Sequence, residues 1–163
     1  MSYRIATVSD RPDLAPLVAR WRVDAFSRDG GGWTLEAMTA AILAPPVGPE
    51  ENFVLFDCDR PVGTAGLVRA DLEARPDFTP WLAGLFVLPE FRGRGHATAL
   101  VRQVEAFARA ASVPVLWLYT STAEPLYARL GWQRVGLEQD GGHEVVLMRR
   151  LTTQGHQAPG SGR

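Results

Sequence analysis

Arginine and glycine alternate in this chain at the point where an apolar run gives way to an apolar-periodic helix. The stretch VLPEFRGRGHATALV, residues 87–101, contains Arg92, Gly93, Arg94 and Gly95. Positive side chains are unfavourable at the start of a helix, because the helix dipole already places partial positive charge there. We therefore predict that a negatively charged group binds at this position and offsets the arginines.

The residue types in this stretch are those of a phosphate cradle. The first N–H groups of a helix have no partners within the helix. Gly93 and Gly95 lack a Cβ atom, so the main chain can approach a bulky anion and adopt unusual dihedral angles. Arg92 and Arg94 add guanidinium groups that can fork onto phosphate at the rim. Together these features predict a phosphate or pyrophosphate site, the alternative being a glycine–arginine surface turn.

The common nucleotide motifs fit this stretch poorly. The chain contains no G-x-x-x-x-G-K-[ST] string. The dinucleotide fingerprint G-x-G-x-x-G matches only at Gly93 and Gly95, because Thr98 stands where the third glycine belongs. The next apolar run, VPVLWLYTS, ends in hydroxyl side chains rather than the acidic residue that fingerprint requires. A nucleotide-binding domain stays open as an alternative.

Composition favours one globular domain whose anion site is local. The chain has 163 residues, 46% of them hydrophobic, with 17 basic and 18 acidic residues and a formal net charge of −1. This balance gives no broad attraction to nucleic acid or to an anionic membrane. Cys58 is the one cysteine, so we expect no intramolecular disulfide, a reducing compartment and a small core side chain.

Targeting and membrane segments are not expected. The beginning of the chain, MSYRIATVSD, lacks the apolar core of a signal peptide. The longest apolar run, WLAGLFVL at 81–88, is far shorter than the about 20 residues that span a bilayer. We expect a cytoplasmic protein.

Periodicity along the chain predicts an α+β domain around a central mixed sheet. The predicted elements are a strand at 3–7, a helix from Pro12 to Phe26, a second helix at 35–42, a hairpin at 53–70, a loop at 71–80, a strand at 81–88, a helix at 97–111, a strand at 113–119, a short helix at 123–130 and a final hairpin at 132–151. Residues 1–151 form the predicted domain, and 152–163 a disordered C-terminal tail.

Local signals predict where several elements begin and end. Ser9 or Asp10 is the expected cap of the first helix, and Thr34 that of the second. Gly131 is expected just past the end of the short helix. The second helix is predicted to carry one apolar face, formed by Leu35, Met38, Ala41 and Ile42. The strands at 81–88 and 113–119 are predicted to be buried on both faces, because neither alternates.

The strand at 81–88, the helix at 97–111 and the strand at 113–119 form one strand–helix–strand unit. In such a unit a ligand usually lies beyond the carboxyl end of the first strand. VLPEFRGRGHA resembles the acetyl-CoA signature R/Q-x-x-G-x-G/A of the GNAT family of N-acetyltransferases, with Arg92, Gly95 and Ala97 at its defining positions. EPLYARLGWQRVG resembles the family's later x-x-x-Y-x-x-x-G-F segment, and the order of elements fits from residue 3 to 151.

The resemblance implies a GNAT-like domain with a mostly antiparallel sheet, a splayed parallel strand pair and flanking helices. It also implies direct transfer of an acetyl group from acetyl-CoA to a primary amine in a ternary complex, with no metal. The pyrophosphate would lie on the amides from Gly93 to Thr98, and the pantetheine along the first strand of the unit. The implied cofactor-binding residues are Leu85, Phe86, Val87, Arg92, Gly93, Arg94, Gly95, His96, Ala97, Thr98 and Thr120.

Tyr127 is the catalytic residue that the resemblance implies. Its hydroxyl would lie near the sulfur of coenzyme A and act as the general acid, since a phenol with a pKa of about 10 is protonated at neutral pH. The alternative is a half-buried tyrosine that packs its helix. The strand at 81–88 carries no carboxylate for a general base. Asp77 and Asp29 are the nearest candidates by topology, against solvated loop acids or a chain of waters.

At two positions, Thr120 and His96, the sequence does not decide how the side chain would contact the cofactor. Many relatives carry an asparagine where this chain has Thr120, and a hydroxyl replaces one hydrogen bond of an amide but not both functions. The His96 side chain either contacts phosphate or faces solvent. The spacing of His96, His143 and His156 suggests no metal site.

The acceptor is expected to be a small-molecule or peptide amine, held by the 28–33 turn, the 71–81 loop and the final hairpin. Trp33 and Trp81 either form a wall of this pocket or serve in packing. An edge strand near the C-terminus could pair between two copies of the chain in a homodimer. The rival from another functional class is a non-catalytic module that binds or senses acyl-CoA.

Overall fold

A seven-stranded sheet in the order β1-β2-β3-β4-β5-β7-β6 lies at the centre of the computed structural model, which describes residues 2–26 and 32–152. The strands are β1 (Tyr3–Thr7), β2 (Glu51–Asp57), β3 (Arg60–Val68), β4 (Trp81–Val87), β5 (Val115–Thr120), β6 (Gln133–Asp140) and β7 (His143–Leu151). The helices are α1 (Ala15–Phe26), α2 (Leu35–Leu43), α3 (His96–Ala110) and α4 (Glu124–Arg129). This mixed, mostly antiparallel α+β fold confirms the fold class predicted from the sequence.

The parallel pair β4–β5 is joined at a single residue pair. Trp81 pairs with Trp117, and the Trp117 N–H donates to the Pro80 carbonyl at 3.2 Å. On their other sides, β4 continues in antiparallel pairing with β3, and β5 with β7 over its whole length. Because each strand follows its antiparallel neighbour, the two diverge beyond Trp81. The expected splayed pair is thus confirmed.

A β-bulge bends β4 beside this opening. Thr64 pairs with Phe86 and Gly66 with Ala83, so two residues, Gly84 and Leu85, stand opposite one on β3. Gly84 has a φ of +66°, in the region that favours glycine. A bulge leaves a residue outside the regular ladder and re-aims the strand, which here turns β4 along the opening.

Helices cover both faces of the sheet because β2 sends alternate side chains to each. Phe53 and Leu55 pack in the cluster that contains the buried stripe of α3. Val54 and Phe56 pack in a second cluster with α1, including Val18. Alternation along a strand explains the division, so α3 and α1 lie on opposite faces of the sheet.

Two of the predicted helix ends are confirmed and one is wrong. Thr34 caps α2, its Oγ1 accepting from the Ala37 N–H at 3.0 Å. Gly131 follows the last turn of α4 with a φ of +94°, as a C′ glycine does. Neither Ser9 nor Asp10 caps the first helix. A 3₁₀ turn at Pro12–Leu14 precedes α1, with Arg11 at its N-cap and no side-chain cap bond.

Cys58 is exposed, so its predicted place in the core is wrong. It forms the turn between β2 and β3 with Asp59, and both residues have positive φ, +47° and +67°. A two-residue hairpin turn of this kind needs left-handed backbone at both positions. The turn projects beyond the sheet and carries the thiol into solvent.

The opening also changes the predicted burial of three elements. The strand β5 alternates instead of being buried throughout, with Leu116 and Leu118 its fully buried residues. In β4 the residues from Ala83 to Phe86 are only partly buried. No residue of α2 is fully buried, because its apolar side chains, including Met38 and Ile42, line the cleft described below.

The described chain ends in a fixed position. Thr152, which the sequence analysis assigned to the tail, is buried, and its hydroxyl donates to the Val113 carbonyl. The remaining tail residues 153–163 and Asp29 lie outside the described residues. Among residues 2–26 and 32–152, no helix is both long and apolar enough to cross a membrane.

Candidate active site

A cleft of about 2040 Å³ follows the opening between β4 and β5. One wall is β4 from Leu82 to Val87, and the start of α3 and the β5–α4 turn close one end. The other end is bordered by α1, α2, the residues after β3 and the β6–β7 turn. Elements distant in sequence therefore meet here because the sheet is split.

The predicted anion cradle has the backbone form that its glycines require. Gly93 has a φ of +79° and Gly95 a φ of +82°, both in the left-handed region. A Cβ atom at either position would meet no heavy atom within 4 Å. The first backbone bond of α3 runs from the Ala99 N–H to the Gly95 carbonyl at 3.0 Å. The amides from His96 to Thr98 precede it, as at any helix N-terminus.

The two arginines of the motif have different partners. The Arg92 Nε donates to the Val87 carbonyl at 3.0 Å, which holds this side chain at the end of β4, where it lines the cleft. The Arg94 Nη1 donates to the Asp57 Oδ2 at 3.3 Å, and its guanidinium lies 4.8 Å from the centre of the Phe91 ring. Arg92 therefore faces the cleft, whereas part of the Arg94 charge is offset by a carboxylate.

The His96 side chain is buried against β2. Its ring is 3% exposed, and Nε2 lies 2.8 Å from the Asp57 Oδ2 in a hydrogen bond. This bond is the largest of the effects that lower the pKa of Asp57. The solvent-facing alternative for His96 is wrong, and the ring is directed to Asp57 rather than toward the cradle. Asp57 has no motif of its own, so sequence reasoning missed it.

Tyr127 is buried at the cleft wall. Its side chain is 6% exposed, and its ring meets Trp132 edge-on at a centroid distance of 6.0 Å. Burial raises the pKa of Tyr127 to about 12, so the phenol is neutral at physiological pH. The residue thus lines the cleft and also packs in the core cluster, more deeply buried than the half-buried packing residue of the alternative interpretation.

Thr120 closes the turn between β5 and α4. Its Oγ1 accepts from the Ala123 N–H at 2.9 Å. A hydroxyl that accepts one bond keeps its own hydrogen to donate. Thr120 can therefore still supply one donor to a ligand in the cleft, although its oxygen already helps to position α4.

The cleft brings together most of the predicted site. The predicted residues that line it are Leu85, Phe86, Val87, Arg92, Ala97, Thr120 and Tyr127. Gly93, Arg94, His96 and Thr98 do not line it, nor does Gly95. Gly95 and Thr98 border a second, shallow cavity of about 600 Å³ between β1 and the start of α3.

Comparison with known proteins agrees with this geometry. The sequence model of the acetyltransferase (GNAT) family matches residues 17–132, which include the cradle and Tyr127. The chain belongs to the GNAT family. No curated protein sequence gives a significant match to it.

Solved structures share the GNAT fold at low sequence identity. An N-acetyltransferase from Staphylococcus aureus Mu50 has a TM-score of 0.73 and 14% identity, covering 94% of this chain and 100% of its own. An aminoglycoside 6′-N-acetyltransferase complexed with coenzyme A has a TM-score of 0.73 and 14% identity, covering 92% and 97%. The yncA protein of Salmonella typhimurium, with its cofactor acetyl-CoA, has a TM-score of 0.70 and 15% identity, covering 99% and 100%.

The end of the GNAT cleft opposite the cradle is rich in charge. Asp71, just after β3, lines it together with Asp140 of the final hairpin. Asp71 is exposed at the cleft surface. Partial desolvation by the cleft walls raises its pKa to about 7; the charge of Arg22 opposes this shift and that of Asp140 adds to it. Sequence reasoning missed Asp71 because its environment is set by α1 and the β6–β7 turn, both remote along the chain.

Asp77 does not fit the role of a base in this GNAT site. Its carboxylate is bound by the Arg75 Nη2 at 2.9 Å and Nε at 3.1 Å, and these bonds lower its pKa. It also does not line the cleft. Asp77 is thus the paired loop acid of the alternative interpretation.

The two tryptophans have separate roles. Trp33 is 57% exposed and lines the cleft. Trp81 is fully buried; its Nε1 donates to the Phe78 carbonyl at 2.7 Å, and it packs in a cluster with Leu72 and Leu147. Within the described residues, no group of three or more His, Cys, Asp or Glu side chains could hold a metal ion.

Proposed function

We propose that this protein is an acetyl-CoA-dependent N-acetyltransferase that transfers the acetyl group directly to a primary amine in a ternary complex. The splay of β4 and β5 carries the proposal, because one cleft is lined by an unpaired edge of β4, by Tyr127, and by Arg92 and Ala97 on either side of the cradle. Membership of the GNAT family supports acetyl transfer. The relatives solved with coenzyme A or acetyl-CoA support that donor.

The chain's residues fit coenzyme A. The backbone at Gly93 and Gly95 is open where a side chain would otherwise stand, so the amides from Gly93 to Thr98 would hold the pyrophosphate. Beyond Trp81, the described residues give β4 no strand partner on the β5 side. The main chain of Leu85–Val87 would therefore hold the pantetheine as an added strand does. Acetyl-CoA supplies an acyl group activated as a thioester.

Tyr127 is proposed to stabilise the departing thiolate as the general acid. Its hydroxyl is neutral at physiological pH because burial raises its pKa to about 12. With so weak an acid, donation of a hydrogen bond contributes as much as full proton transfer. The packing on Trp132 fixes the direction of the ring, so the donor is held in place before reaction.

Asp71 is proposed as the general base. A base must be unprotonated and must also attract the proton of the incoming ammonium, which a pKa of about 7 allows near neutral pH. Asp71 lines the same cleft as Tyr127. It replaces Asp77, whose carboxylate is occupied by Arg75.

Residues 1–151 are proposed as the catalytic domain, acting in the cytoplasm on a small-molecule or peptide amine. An exposed free thiol at Cys58 supports a reducing compartment. The strand β6 is the edge of the sheet and carries exposed Val135 and Leu137. Pairing at this edge is the proposed route to a homodimer.

Release of free thiol from acetyl-CoA in the presence of a broad amine panel tests the proposal. We expect amine-dependent release and acetylated amine in equal amounts, because direct transfer forms one of each per turnover. A non-catalytic sensor would bind coenzyme A in calorimetry and release no thiol with any amine. Tight binding of NAD and ATP instead of coenzyme A would favour the nucleotide-binding alternative.

Replacing Tyr127 by Phe removes the hydroxyl but keeps the ring packed on Trp132. We expect kcat to fall by about 100-fold, the lower end of general acid effects, while the Kd for coenzyme A stays within about twofold. Steady-state kinetics and calorimetry measure the two quantities. The matched control is Tyr3→Phe on β1, outside the cleft. Equal losses in both quantities, or no loss, would contradict the acid role.

Replacing Asp71 by Asn tests the base through the pH profile. The base form of Asp71 exists above its pKa, so wild-type kcat/KM should rise with pH through about 7. We expect kcat/KM of Asp71→Asn to show no rise with pH in this range and to be about 100-fold lower than that of wild type at pH 8. The cleft also contains the titratable residues Glu50, Glu73, Asp140 and His143.

His143→Gln is the matched control, because it changes another polar side chain that lines the same cleft. The kcat/KM of His143→Gln should still rise with pH as in wild type. If the rise of kcat/KM with pH disappears in His143→Gln and persists in Asp71→Asn, Asp71 is not the base.

A further inference from the structure

A buried arginine lines the cleft at the end opposite the cradle, where the acceptor is proposed to bind and which is called the acceptor end below. Arg22, on α1, is 8% exposed, and its Nε and Nη2 have no hydrogen-bond partner among residues 2–26 and 32–152. Burial lowers its pKa to about 10, so the guanidinium is still charged at neutral pH. A buried charge is normally paired, since leaving its donors unsatisfied is costly.

The guanidinium of Arg22 fits beside the sheet because two strand positions that face it are glycines. A Cβ atom on Gly66 would lie 2.5 Å from the Arg22 Nη2, and one on Gly84 would lie 2.5 Å from its Nε. Both glycines belong to strands, where glycine is weakening, and Gly84 forms the bulge of β4. The same niche holds the Asn52 Oδ1, 3.0 Å from the Gly66 Cβ position and also without a partner.

The free atoms of Arg22 form the edge with which this chain binds carboxylates elsewhere. Arg11 donates through Nε and Nη2 to the two oxygens of Asp13, each at 2.9 Å. Arg75 binds Asp77 through the same two atoms at 3.1 and 2.9 Å. Two parallel bonds of this kind match the planar geometry of a carboxylate. Arg22 has the same two atoms available, and within the described part of the chain no carboxylate binds them.

No described carboxylate of the chain supplies the partner. The charge of Asp71 partly opposes the lowering of the Arg22 pKa by burial. Among the described residues, neither Nε nor Nη2 of Arg22 has a hydrogen bond to Asp71. Arg22 and Asp71 both line the acceptor end. The two charges are therefore close enough to interact and yet separate, as a ligand with an ammonium and a carboxylate group would require.

We propose that Arg22 binds a carboxylate of the acceptor, so that the amine substrate is an amino acid or another amine bearing a carboxylate. The inference rests on the proposed function and names the substrate class of that site. Arg22 leaves the niche of Gly66 and Gly84 by rotation of its flexible side chain and presents Nε and Nη2 to the ligand. The ammonium end then lies toward Asp71.

Matched acceptors test the inference in kinetics. A panel of L-amino acids is compared with their carboxamides and their decarboxylated amines, by thiol release from acetyl-CoA. We expect wild-type kcat/KM to favour the acid member of the best series by at least tenfold. Arg22→Gln should reduce this ratio to about one, through a higher KM for the acid member. Arg22→Lys keeps the charge without the fork and should give an intermediate ratio.

A binding measurement separates the inference from the proposed function. Calorimetry measures the Kd of 4-methylpentanoate for the protein in the presence of coenzyme A. This compound has the carbon skeleton of leucine without its amine. Wild type should bind it, Arg22→Gln should bind at least tenfold more weakly, and Arg20→Gln, an exposed arginine of the same helix, should match wild type. Arg22→Lys, with its charge retained, gives the same comparison if Arg22→Gln does not fold.

Equal turnover of acids and decarboxylated amines, with no Arg22-dependent binding of 4-methylpentanoate, overturns the inference and leaves acetyl transfer intact. No thiol release with any amine overturns the proposed function, and the binding of 4-methylpentanoate then decides the carboxylate site alone. A loss of melting temperature in Arg22→Gln with unchanged preference and binding shows a structural pair with Asp71 and overturns the inference.

Discussion

The one-residue contact between β4 and β5 is the constraint on which the site depends. Parallel strands in a sheet ordinarily continue their hydrogen bonds along their length, but here Trp81 and Trp117 are the single pair. Aromatic packing fixes this vertex: Trp81 is fully buried, and Trp117 stacks on Phe78 at a centroid distance of 3.7 Å. Since β3 and β7 direct the two strands apart, the sheet must open beyond the vertex.

The opening divides the chemistry into two ends. Toward the cradle, main-chain groups dominate, and Arg92 is the cationic side chain that the Val87 carbonyl holds at the cleft. Toward the acceptor end lie the charges of Arg22, which is buried, and of Asp71, which is exposed in the cleft. A buried charge with unsatisfied donors reduces the stability of a fold unless a ligand compensates it, and this is the reason for proposing that Arg22 binds part of the acceptor.

The parts of this site that sequence could predict are those with a local cause. A glycine-rich turn before a helix, a tyrosine at fixed spacing from a glycine, and a threonine cap each depend on neighbours a few residues away. Asp57, Asp71 and Arg22 depend on pairing between remote segments. Arg22 in particular reads as one polar position on an amphipathic helix, and its burial becomes evident only when Gly66 and Gly84 face it across the sheet. The prediction that Cys58 lies in the core was wrong for a related reason, because the register of β2 and β3 places this residue in the turn between them.

Hydrogen exchange of backbone amides with and without coenzyme A tests the central claim most directly. If the opening between β4 and β5 holds the cofactor, exchange should slow in Leu82–Val87 and in Gly93–Thr98 together, while the β6–β7 hairpin keeps its rate. Protection of the cradle and of β4 at the same coenzyme A concentration would support one continuous site. Saturating coenzyme A that leaves the exchange of β4 unchanged would contradict the account.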